Sequence, residues 1–339
     1  MIKIVGDINF SDGYIDTGIG VGSAIAKGLD PLSSIITSKD DFWIGNFECV
    51  ASSETDKSGL KARQFRIEPE LLSSLTHCDL YGIANNHVMQ HGAEAYENTK
   101  NAIIRCRGQY VGSADNKSVI FQYKGKRIGV LAFSQRPDNF TDTPLYWANP
   151  EYVAINDELV SMECDYKIIF VHWGVEFIDY PYIDQKSFAH SLVDSGADLV
   201  IGMHPHVLQG MEVYKGKHIF YSLGNCLFNM VWEPTTYSVI VSIDPDLGFK
   251  VDYSYIKKSA DMTPVHIQES EVPLRYRMDT LSSKLTINDE DESYFSKARE
   301  CYKGFRKSNI AAFCRNLSKM TKNDVKDMVS DFVNRRIHR

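Results

Sequence analysis

The chain has 339 residues and a formal net charge of -7 at pH 7, with 43% hydrophobic and 24% charged residues. These fractions are those of an ordinary globular protein and permit a sizeable core. The acidic balance argues against nucleic-acid binding by the surface as a whole, because phosphate contact requires clustered Lys and Arg. At this length we expect one large α/β unit with a smaller C-terminal appendage.

Short apolar runs alternate with helical patterns through most of the chain, which is typical of an α/β layer architecture. Strands are predicted at residues 2–5, 41–45 and 80–84, and helices at residues 70–76 and 93–107. Further along, a hairpin is predicted at residues 118–133, a strand at 167–171, a helix at 184–195 and a strand at 198–201. A second hairpin at residues 212–222 precedes two alternating strands at 237–243 and 249–256. This mixture predicts two mixed sheets packed face to face, with helices outside.

The C-terminal part of the chain differs in character. Turn and polar residues run from about residue 259 to 292, and helices are predicted at residues 293–317 and 322–337. Residues 1–258 are therefore predicted to form the main domain, and residues 259–339 a linker with a helical region. Lys and Arg outnumber acidic residues in these helices, which indicates either a basic surface for an anionic partner or a solvated face. In the second case the helices pack on the main domain or on a second subunit, so an oligomer is possible.

Cysteine usage and the first residues both bear on location. The seven cysteines include no CxxC pair, and a chain of this size needs no disulfides, so free buried thiols in a reducing compartment are expected. Residues 1–7 run directly into the first predicted strand without a basic or apolar leader. No apolar run approaches the length of a membrane-spanning helix. We predict a cytoplasmic protein with no transmembrane segment.

Polar residues recur just after the predicted strands. The carboxyl ends of strands meet at one edge of an open α/β sheet, where ligands bind. A single such residue is usually a cap or turn residue, whereas five or six together indicate a site. The residues in question are Asp7, Asn9, Glu48, Asn85, Asn86, His87, His172, Glu176, His204, His206 and Asn225.

The types of these side chains predict a metal centre. Imidazole, carboxylate and amide groups suit Mn, Fe or Zn rather than a thiolate site. Two divalent cations about 3.5–4 Å apart, bridged by a carboxylate, can activate water for phosphate chemistry. His204 and His206 flank Pro205, which makes a central strand improbable and places the pair in a loop.

The same motifs resemble the CapA-type (poly-gamma-glutamate capsule synthesis) family, which is similar to calcineurin-like metallophosphoesterases. The resemblance covers roughly residues 1–245 and implies a four-layer αββα sandwich with two divalent metal ions. It rests on motifs that occur here in the family's order: Gly6-Asp7, Asn46-Phe47-Glu48, Asn85-Asn86-His87, His172-Trp173-Gly174-Val175-Glu176, His204-Pro205-His206 and Tyr221-Ser222-Leu223-Gly224-Asn225.

The resemblance implies a role for each motif residue. One metal is expected to be held by Asp7 and His206, with Asn9 in place of a usual histidine. Glu48 becomes the bridging carboxylate. The second metal is then assigned to Asn86, His172 and His204. His87 becomes the catalytic imidazole, while Asn85, Glu176 and Asn225 orient the ligands or contact the substrate. One departure is Gln90, which stands where the family usually has Asp, and a neutral amide cannot raise the pKa of His87 as a carboxylate does.

Three functions remain open at this point. The first is a hydrolase that cleaves a phosphoester or related bond in a cell-surface polymer precursor, with an anionic polymer or a phosphorylated small molecule as substrate. The second is a non-hydrolytic subunit that binds poly-gamma-glutamate or another anionic polymer together with capsule-synthesis proteins. The third is a scaffold with an inactive metal site. The ligand set favours the first, and Gln90 favours the other two.

Overall fold

The computed structural model describes residues 1–13, 18–54, 58–59 and 63–337. The strands in this part of the chain are β1 (Ile2–Ile8), β2 (Phe42–Phe47), β3 (Val50–Ala51), β4 (Arg66–Ile67), β5 (Leu80–Gly82), β6 (Gln109–Val111), β7 (Ser118–Tyr123), β8 (Lys126–Ser134), β9 (Tyr166–His172), β10 (Leu199–Met203), β11 (Met211–Tyr214), β12 (Lys217–Phe220), β13 (Asn225–Leu227), β14 (Tyr237–Asp244), β15 (Lys250–Lys258) and β16 (Pro264–His266). The α-helices there are α1 (Val21–Ile25), α2 (Pro69–Leu72), α3 (Gly92–Arg105), α4 (Tyr152–Ser161), α5 (Ile183–Asp194), α6 (Met278–Ser283), α7 (Asp291–Asn316) and α8 (Lys322–Ile337).

The strands form two mixed sheets, as predicted. The larger runs β16-β15-β14-β1-β2-β5-β6, and β13 pairs in parallel with the end of β1. The smaller runs β11-β12-β10-β9-β8-β7, with β8, β9, β10 and β12 parallel and an antiparallel strand at each edge. A short parallel pair, β3 and β4, lies apart from both. Parallel strands in each sheet therefore end toward the same edge, which is the arrangement that collects loop residues into a site.

Alternation along the strands builds four layers. Ile4 and Phe170 point into a core between the two sheets. Their neighbours in sequence, Val5 and Ile169, point the other way, into separate outer clusters. Residues of α1, α2 and α3 cover the outer face of the larger sheet, and residues of α4 and α5 cover that of the smaller one. The predicted αββα sandwich is confirmed.

Gly82 shows how closely the sheets approach each other. A Cβ built on it lies 2.6 Å from the Phe170 ring across the interface. That distance is shorter than any van der Waals contact, so only glycine allows Phe170 to pack here.

The C-terminal helices pack on the sandwich. Phe305 of α7 stacks on Phe177 with ring centroids 4.1 Å apart and joins a buried cluster with Phe65 and Phe228. Arg63 is 8% exposed and forms ion pairs with Asp324 and Asp327 of α8. The helical appendage is confirmed, while the domain boundary at residue 258 stays a prediction.

Residues 259–292 contain more regular structure than the sequence suggested. β16 pairs with β15 and extends the larger sheet beyond residue 258. The short helix α6 buries Met278 and Leu281 against the core between the sheets. Two apolar residues three apart were too short a signal to separate this helix from the surrounding turns.

Two further predictions concern the cysteines and the membrane. All seven cysteines lie in the described ranges and are free thiols, but burial was predicted for all of them and holds only for Cys49, Cys78 and Cys226. Within those ranges, no helix combines the length and apolarity needed to cross a bilayer.

Candidate metal centre

The centre forms where strands of both sheets end. Asp7 lies near the end of β1, and Glu48 follows β2 directly. On the smaller sheet, His172 ends β9, and His204 comes just after β10. The register pairs His172 with Met203, so the loops after β9 and β10, which carry the histidines, begin side by side at the end of the sheet. The common direction of the parallel strands thus brings distant residues together.

Gly6 keeps the backbone close at this point. A Cβ at Gly6 would lie 1.8 Å from the carbonyl oxygen of Gly224, so no other residue fits. Asp7 then donates its N–H to the same carbonyl at 3.0 Å. The Gly6-Asp7 motif therefore needs glycine at its first position because the backbone at Gly224, just before β13, packs directly against β1.

Five of the predicted ligands come together in two overlapping groups. Asp7, Glu48 and His206 offer ligand atoms within 4.8 Å of one another. Glu48, His172 and His204 do so within the same limit. Glu48 belongs to both groups. All five side chains are buried, and the two sets share one carboxylate. In a third group, the half-buried Glu176 lies within the same limit of His204 and His206.

Glu48 is buried beside two histidines, with its Oε1 3.6 Å from His206 Nε2 and 3.9 Å from His172 Nε2, too far for a hydrogen bond. It is fully buried, and neither carboxylate oxygen has a hydrogen-bond partner among the described residues. Burial, together with the negative charge of Asp7, raises the pKa of Glu48 well above its usual range. A buried carboxylate of this kind is normally paired or bound to a metal.

The carboxylate of Asp7, unlike that of Glu48, has hydrogen-bond partners. Its Oδ1 accepts a hydrogen bond from the Asn46 amide at 2.7 Å, and its Oδ2 lies 3.4 Å from His206 Nδ1. Burial acts to raise the pKa of Asp7, but the hydrogen bond and charge of His206 outweigh it and hold that pKa below its usual value. The two carboxylates of the centre therefore differ in state, one ionised and one favouring a proton.

The His204-Pro205-His206 segment is strained as well as buried. His204 has φ 98° and His206 has φ 59°, both in the left-handed region that favours glycine. Each such conformation costs about 1–3 kcal/mol and persists mainly at functional sites. Neither ring nitrogen of His204 has a partner in the described part of the chain, and burial keeps its pKa well below the usual value. His204 is thus a neutral imidazole with its acceptor nitrogen free.

Neutral amides orient the other two histidines. His172 Nε2 lies 2.8 Å from Asn86 Oδ1, and its Nδ1 lies 3.3 Å from Asn46 Nδ2. Burial lowers the pKa of His172 to about 3. His206 Nδ1 lies 2.9 Å from Asn225 Oδ1. Asn225 therefore contacts a ligand candidate, as expected for an orienting residue.

Asn9 and Asn85 are held by the protein itself. Asn9 Oδ1 accepts hydrogen bonds from the N–H and hydroxyl of Ser11, and its Nδ2 donates to the Glu48 carbonyl at 2.7 Å. Two donors use both lone pairs of Asn9 Oδ1, so the structure does not support the predicted ligand role of Asn9, and this side chain instead holds the Glu48 backbone. Asn85 donates to the Phe47 carbonyl at 2.9 Å and accepts from the N–H of His87, which sets the turn carrying that histidine.

His87 lies on the more open side of the centre. It is half-buried and stacks on Phe65 with ring centroids 4.2 Å apart. Its Nδ1 lies 3.1 Å from Gln90 Oε1, and Gln90 Nε2 donates to Gln64 Oε1 at 3.0 Å. The second bond fixes the orientation of the Gln90 amide, so His87 Nδ1 must donate. Burial lowers the pKa of His87 to about 4 despite this bond.

A large cavity opens beside this histidine. It has a volume of about 1030 Å³ and is lined in part by Gln90, His91, Glu94 and Phe140. The Phe140 ring lies 6.2 Å from the His87 ring. The size is at the upper end of the range for ligand pockets, which is about 300–1,000 Å³.

The sequence model of the family described as bacterial capsule synthesis protein PGA_cap matches residues 1–230. The chain belongs to this family. The matched part includes every residue of the candidate centre, and the predicted kinship with the CapA-type capsule synthesis proteins is confirmed.

Individual relatives agree with the family assignment. The chain is 29% identical over 252 residues to the capsule biosynthesis protein CapA of Bacillus anthracis, covering 68% of this chain and 59% of that protein. It is 29% identical over 267 residues to the PGA biosynthesis protein CapA of Bacillus subtilis strain 168, covering 74% and 67%. The chain thus spans only part of the length of these relatives. Among solved structures, it is similar to a phosphatase from Mycoplasma pneumoniae, with 14% identity and a TM-score of 0.47 over 76% of this chain and 92% of that one.

Three residues of this capsule synthesis family member have roles that the sequence reasoning missed or underestimated. Asn46 contacts both Asp7 and His172, although it appeared only as part of a motif. Glu176 offers a carboxylate oxygen within 4.8 Å of ligand atoms of His204 and His206. Arg136 lies in the loop after β8, and its charge contributes to the lowered pKa values of His172 and His204 after the larger effect of burial. The rule that polar residues after strands form the site could have found Arg136, because β8 was predicted.

Proposed function

We propose that the chain is a metal-dependent hydrolase that acts on a phosphoester or related bond in the making of capsule or another cell-surface polymer. The observation that carries this proposal is Glu48: one buried carboxylate, without a hydrogen-bond partner in the described residues, shared by two groups of ligand side chains. A bridging carboxylate between two cations needs this placement.

The side chains fit a pair of divalent cations. Glu48 and His204 are buried acceptors that the described protein leaves unsatisfied, and leaving such groups unpaired is costly. The donor set is oxygen and imidazole nitrogen, which suits Mn, Fe or Zn. Asp7 and His206 would hold one cation, Asn86, His172 and His204 the other, and Glu48 both. Such a pair supplies water activation near neutral pH and neutralises charge that develops on a phosphoester.

The chain's own residues would position the substrate and move a proton. Because Gln90 takes Nδ1 of His87, Nε2 is the nitrogen left to exchange a proton with a leaving oxygen. Phe65 stacks on the imidazole and fixes the plane of the ring. The cavity beside Gln90 has room for a substrate larger than a simple phosphate ester.

One observation favours a second candidate, a non-hydrolytic subunit that binds an anionic polymer. Gln90 is neutral, and the pKa of His87 lies at about 4, so the imidazole carries little positive charge near pH 7. An imidazole that holds almost no proton near pH 7 cannot protonate a leaving group, which favours binding over bond cleavage. In this second case the cations would serve to hold the polymer.

The two candidates differ in turnover. Purified protein is analysed for metal by elemental analysis and then assayed with an aryl phosphodiester and an aryl phosphomonoester in the presence of Mn. A hydrolase shows about two metal equivalents and Mn-dependent turnover. In that case His87→Ala abolishes turnover but keeps the metal, while His190→Ala, at a surface histidine paired with Glu212, changes neither. Metal binding without turnover on either ester would support the polymer-binding subunit, and absence of metal would overturn both.

A further inference from the structure

A second cavity lies beside the centre, on the side of the smaller sheet. It has a volume of about 280 Å³. Gln135 and Arg136 follow β8, Gly174 and Val175 follow β9, and α5 and α7 contribute the rest. Its other lining residues are Tyr182, Asp184, Gln185, Phe188 and Phe295. Phe295 lies outside the part of the chain that matches the family model, so this cavity is completed by the C-terminal region.

Gln185 is the first sign that the cavity takes a ligand. It lies in the first turn of α5, is 7% exposed, and neither Oε1 nor Nε2 has a hydrogen-bond partner in the described part of the chain. A buried amide without hydrogen bonds destabilises the folded protein, so such a group calls for a partner. Gly174, with φ 81°, leaves the space, because a Cβ there would lie 3.0 Å from Gln185 Oε1. The amide offers one acceptor and one donor side by side.

Arg136 is the second sign. Its Nη1 donates to the Gly174 carbonyl at 3.1 Å, and its buried Nε has no partner among the described residues. Within those residues, no carboxylate forms an ion pair with it. With Nη1 engaged, the Nε–Nη2 edge is left, and this edge of arginine binds a carboxylate or phosphate with two parallel hydrogen bonds.

The surroundings favour a small ligand. The tyrosine and phenylalanine rings form apolar walls, and the volume is just below the usual range for ligand pockets, about 300–1,000 Å³. No side chain caps the N-terminus of α5, so its first N–H groups add a positive field. Asp184 opposes an anion, but it is exposed at the rim and its charge is screened by solvent.

We propose that this cavity is a subsite for a small oxyanion, a carboxylate or a phosphate, attached to an amide or hydroxyl group. Arg136 binds the oxyanion, and Gln185 hydrogen-bonds to the neighbouring polar group. The inference rests on the proposed function only in treating the oxyanion as part of the substrate, because binding in the cavity needs neither metal nor turnover.

Binding to metal-free protein tests the subsite separately from hydrolysis. After chelation, the full chain is titrated with N-acetylglycine, which has one carboxylate beside one amide, and with inorganic phosphate. Ligand-observed proton and phosphorus NMR report binding. The neutral probe N-acetylglycinamide is the control ligand, and Arg127→Ala, an exposed arginine at the other end of β8, is the control variant.

We expect one or both oxyanions to bind, and the neutral amide to bind at least about tenfold more weakly, because the charge-assisted bonds are lost. Arg136→Ala should weaken oxyanion binding by about tenfold or more, and Arg136→Lys should restore part of it, since it keeps the charge without the fork. Gln185→Leu should weaken the binding of N-acetylglycine more than that of phosphate, and Asp184→Asn should strengthen the binding of both probes.

Tighter binding of one of the two probes identifies the oxyanion that the subsite takes. Two results would overturn the subsite, whatever the hydrolase assay shows. One is that neither probe binds to the wild type. The other is that Arg136→Ala and Arg136→Lys bind both probes as the wild type does.

Discussion

The ligand cluster and the His87 side of the site are built on opposite principles. In the cluster, Glu48 and His204 are buried acceptors that the described protein leaves unsatisfied, and the backbone of His204 and His206 is strained. On the other side, His87 is satisfied through a chain of neutral amides, Gln90 and Gln64. In the cluster, cations would satisfy groups that the described protein leaves unpaired, whereas the Nδ1 hydrogen bond of His87 is already made within the protein. The protein is thus better equipped to hold metal than to deliver a proton.

The largest test of this difference is Glu48→Gln. Removing the carboxylate common to both ligand groups should abolish binding of at least one cation and reduce turnover by more than the roughly 10–100-fold seen when residues that orient ligands are changed. Elemental analysis and the Mn-dependent ester assay measure both effects. Glu151→Gln, at an exposed glutamate before α4, is the matched control and should behave as wild type. Two metal equivalents retained by Glu48→Gln would show that Glu48 does not bridge.

The next test increases the protonation of His87. Gln90→Glu keeps the size of the side chain but places a carboxylate next to His87 Nδ1, which favours the protonated imidazole and raises the pKa of His87 from about 4. If protonated His87 assists the leaving group, the falling limb of the pH–rate profile moves to higher pH, and kcat at pH 7 rises by about tenfold for each unit of pKa. The metal content should not change. A profile that stays in place would remove His87 from the proton-transfer role.

The convergence of the cluster could be predicted from the sequence, because side chains able to bind a metal stand just after predicted strands. Their role as metal ligands stays a prediction. Asp7, Glu48, His172 and His204 each follow a strand that the apolar pattern marked clearly, and the parallel direction of the strands does the rest. The strain at His204 and the satisfied amide of Asn9 could not be predicted, since they depend on backbone angles and on partners distant in sequence.

Elsewhere the sequence signal was weaker. Helix α4 was missed because Val153 and Val160 are about two-thirds exposed, at 65% and 67%, so apolar residues lie on both faces and the helical period is blurred. The strands β3, β4 and β13 have two or three residues each, too few for any alternation. Gln185 gave no signal at all, because a glutamine in a helix is usually exposed.

A smaller effect on kcat is expected from breaking the ion pair between Arg63, near the His87 side, and Asp324 of α8. Arg63 pairs with Asp324 of α8, both side chains being at most 8% exposed, and Arg63 is two residues from the Phe65 ring on which His87 stacks. Within the described part of the chain, Asp324→Asn leaves Asp327 as the remaining ion-pair partner of the buried Arg63, which should destabilise α8 by about 3 kcal/mol. Faster hydrogen exchange in α8 and a severalfold lower kcat should follow, with metal content unchanged.

The matched control for that change is Asp252→Asn, which breaks an exposed pair with Lys250 and should leave the free energy of unfolding as in the wild type. Loss of metal in Asp324→Asn would contradict the separation of the two sides, because it would tie the helices to the ligand cluster. Unchanged hydrogen exchange would instead show that the ion pair does not anchor α8.

The smallest effect concerns Lys258, which supports the loop next to the cluster. Its ammonium group donates to the carbonyls of Phe228 and Met230, and the Phe228 ring lies 4.8 Å from the His206 ring. Burial lowers the pKa of Lys258 from 10.5 to about 8. Between these two values the unfolded chain binds more protons than the folded one, so this group makes the folded state more stable as pH rises from about 8 to about 10.5.

Lys258→Met removes that contribution without changing the other groups that titrate in the same window. Denaturant unfolding at pH 7.5, 9 and 10 should therefore show the free energy of unfolding of the wild type rising relative to the variant, while Lys303→Met, at an exposed lysine of α7, keeps a constant difference from the wild type. A constant difference for Lys258→Met as well would mean that the lysine is charged and solvated in the folded protein. The bonds from Lys258 to the loop beside His206 would then add no pH dependence to the free energy of unfolding between pH 8 and 10.5.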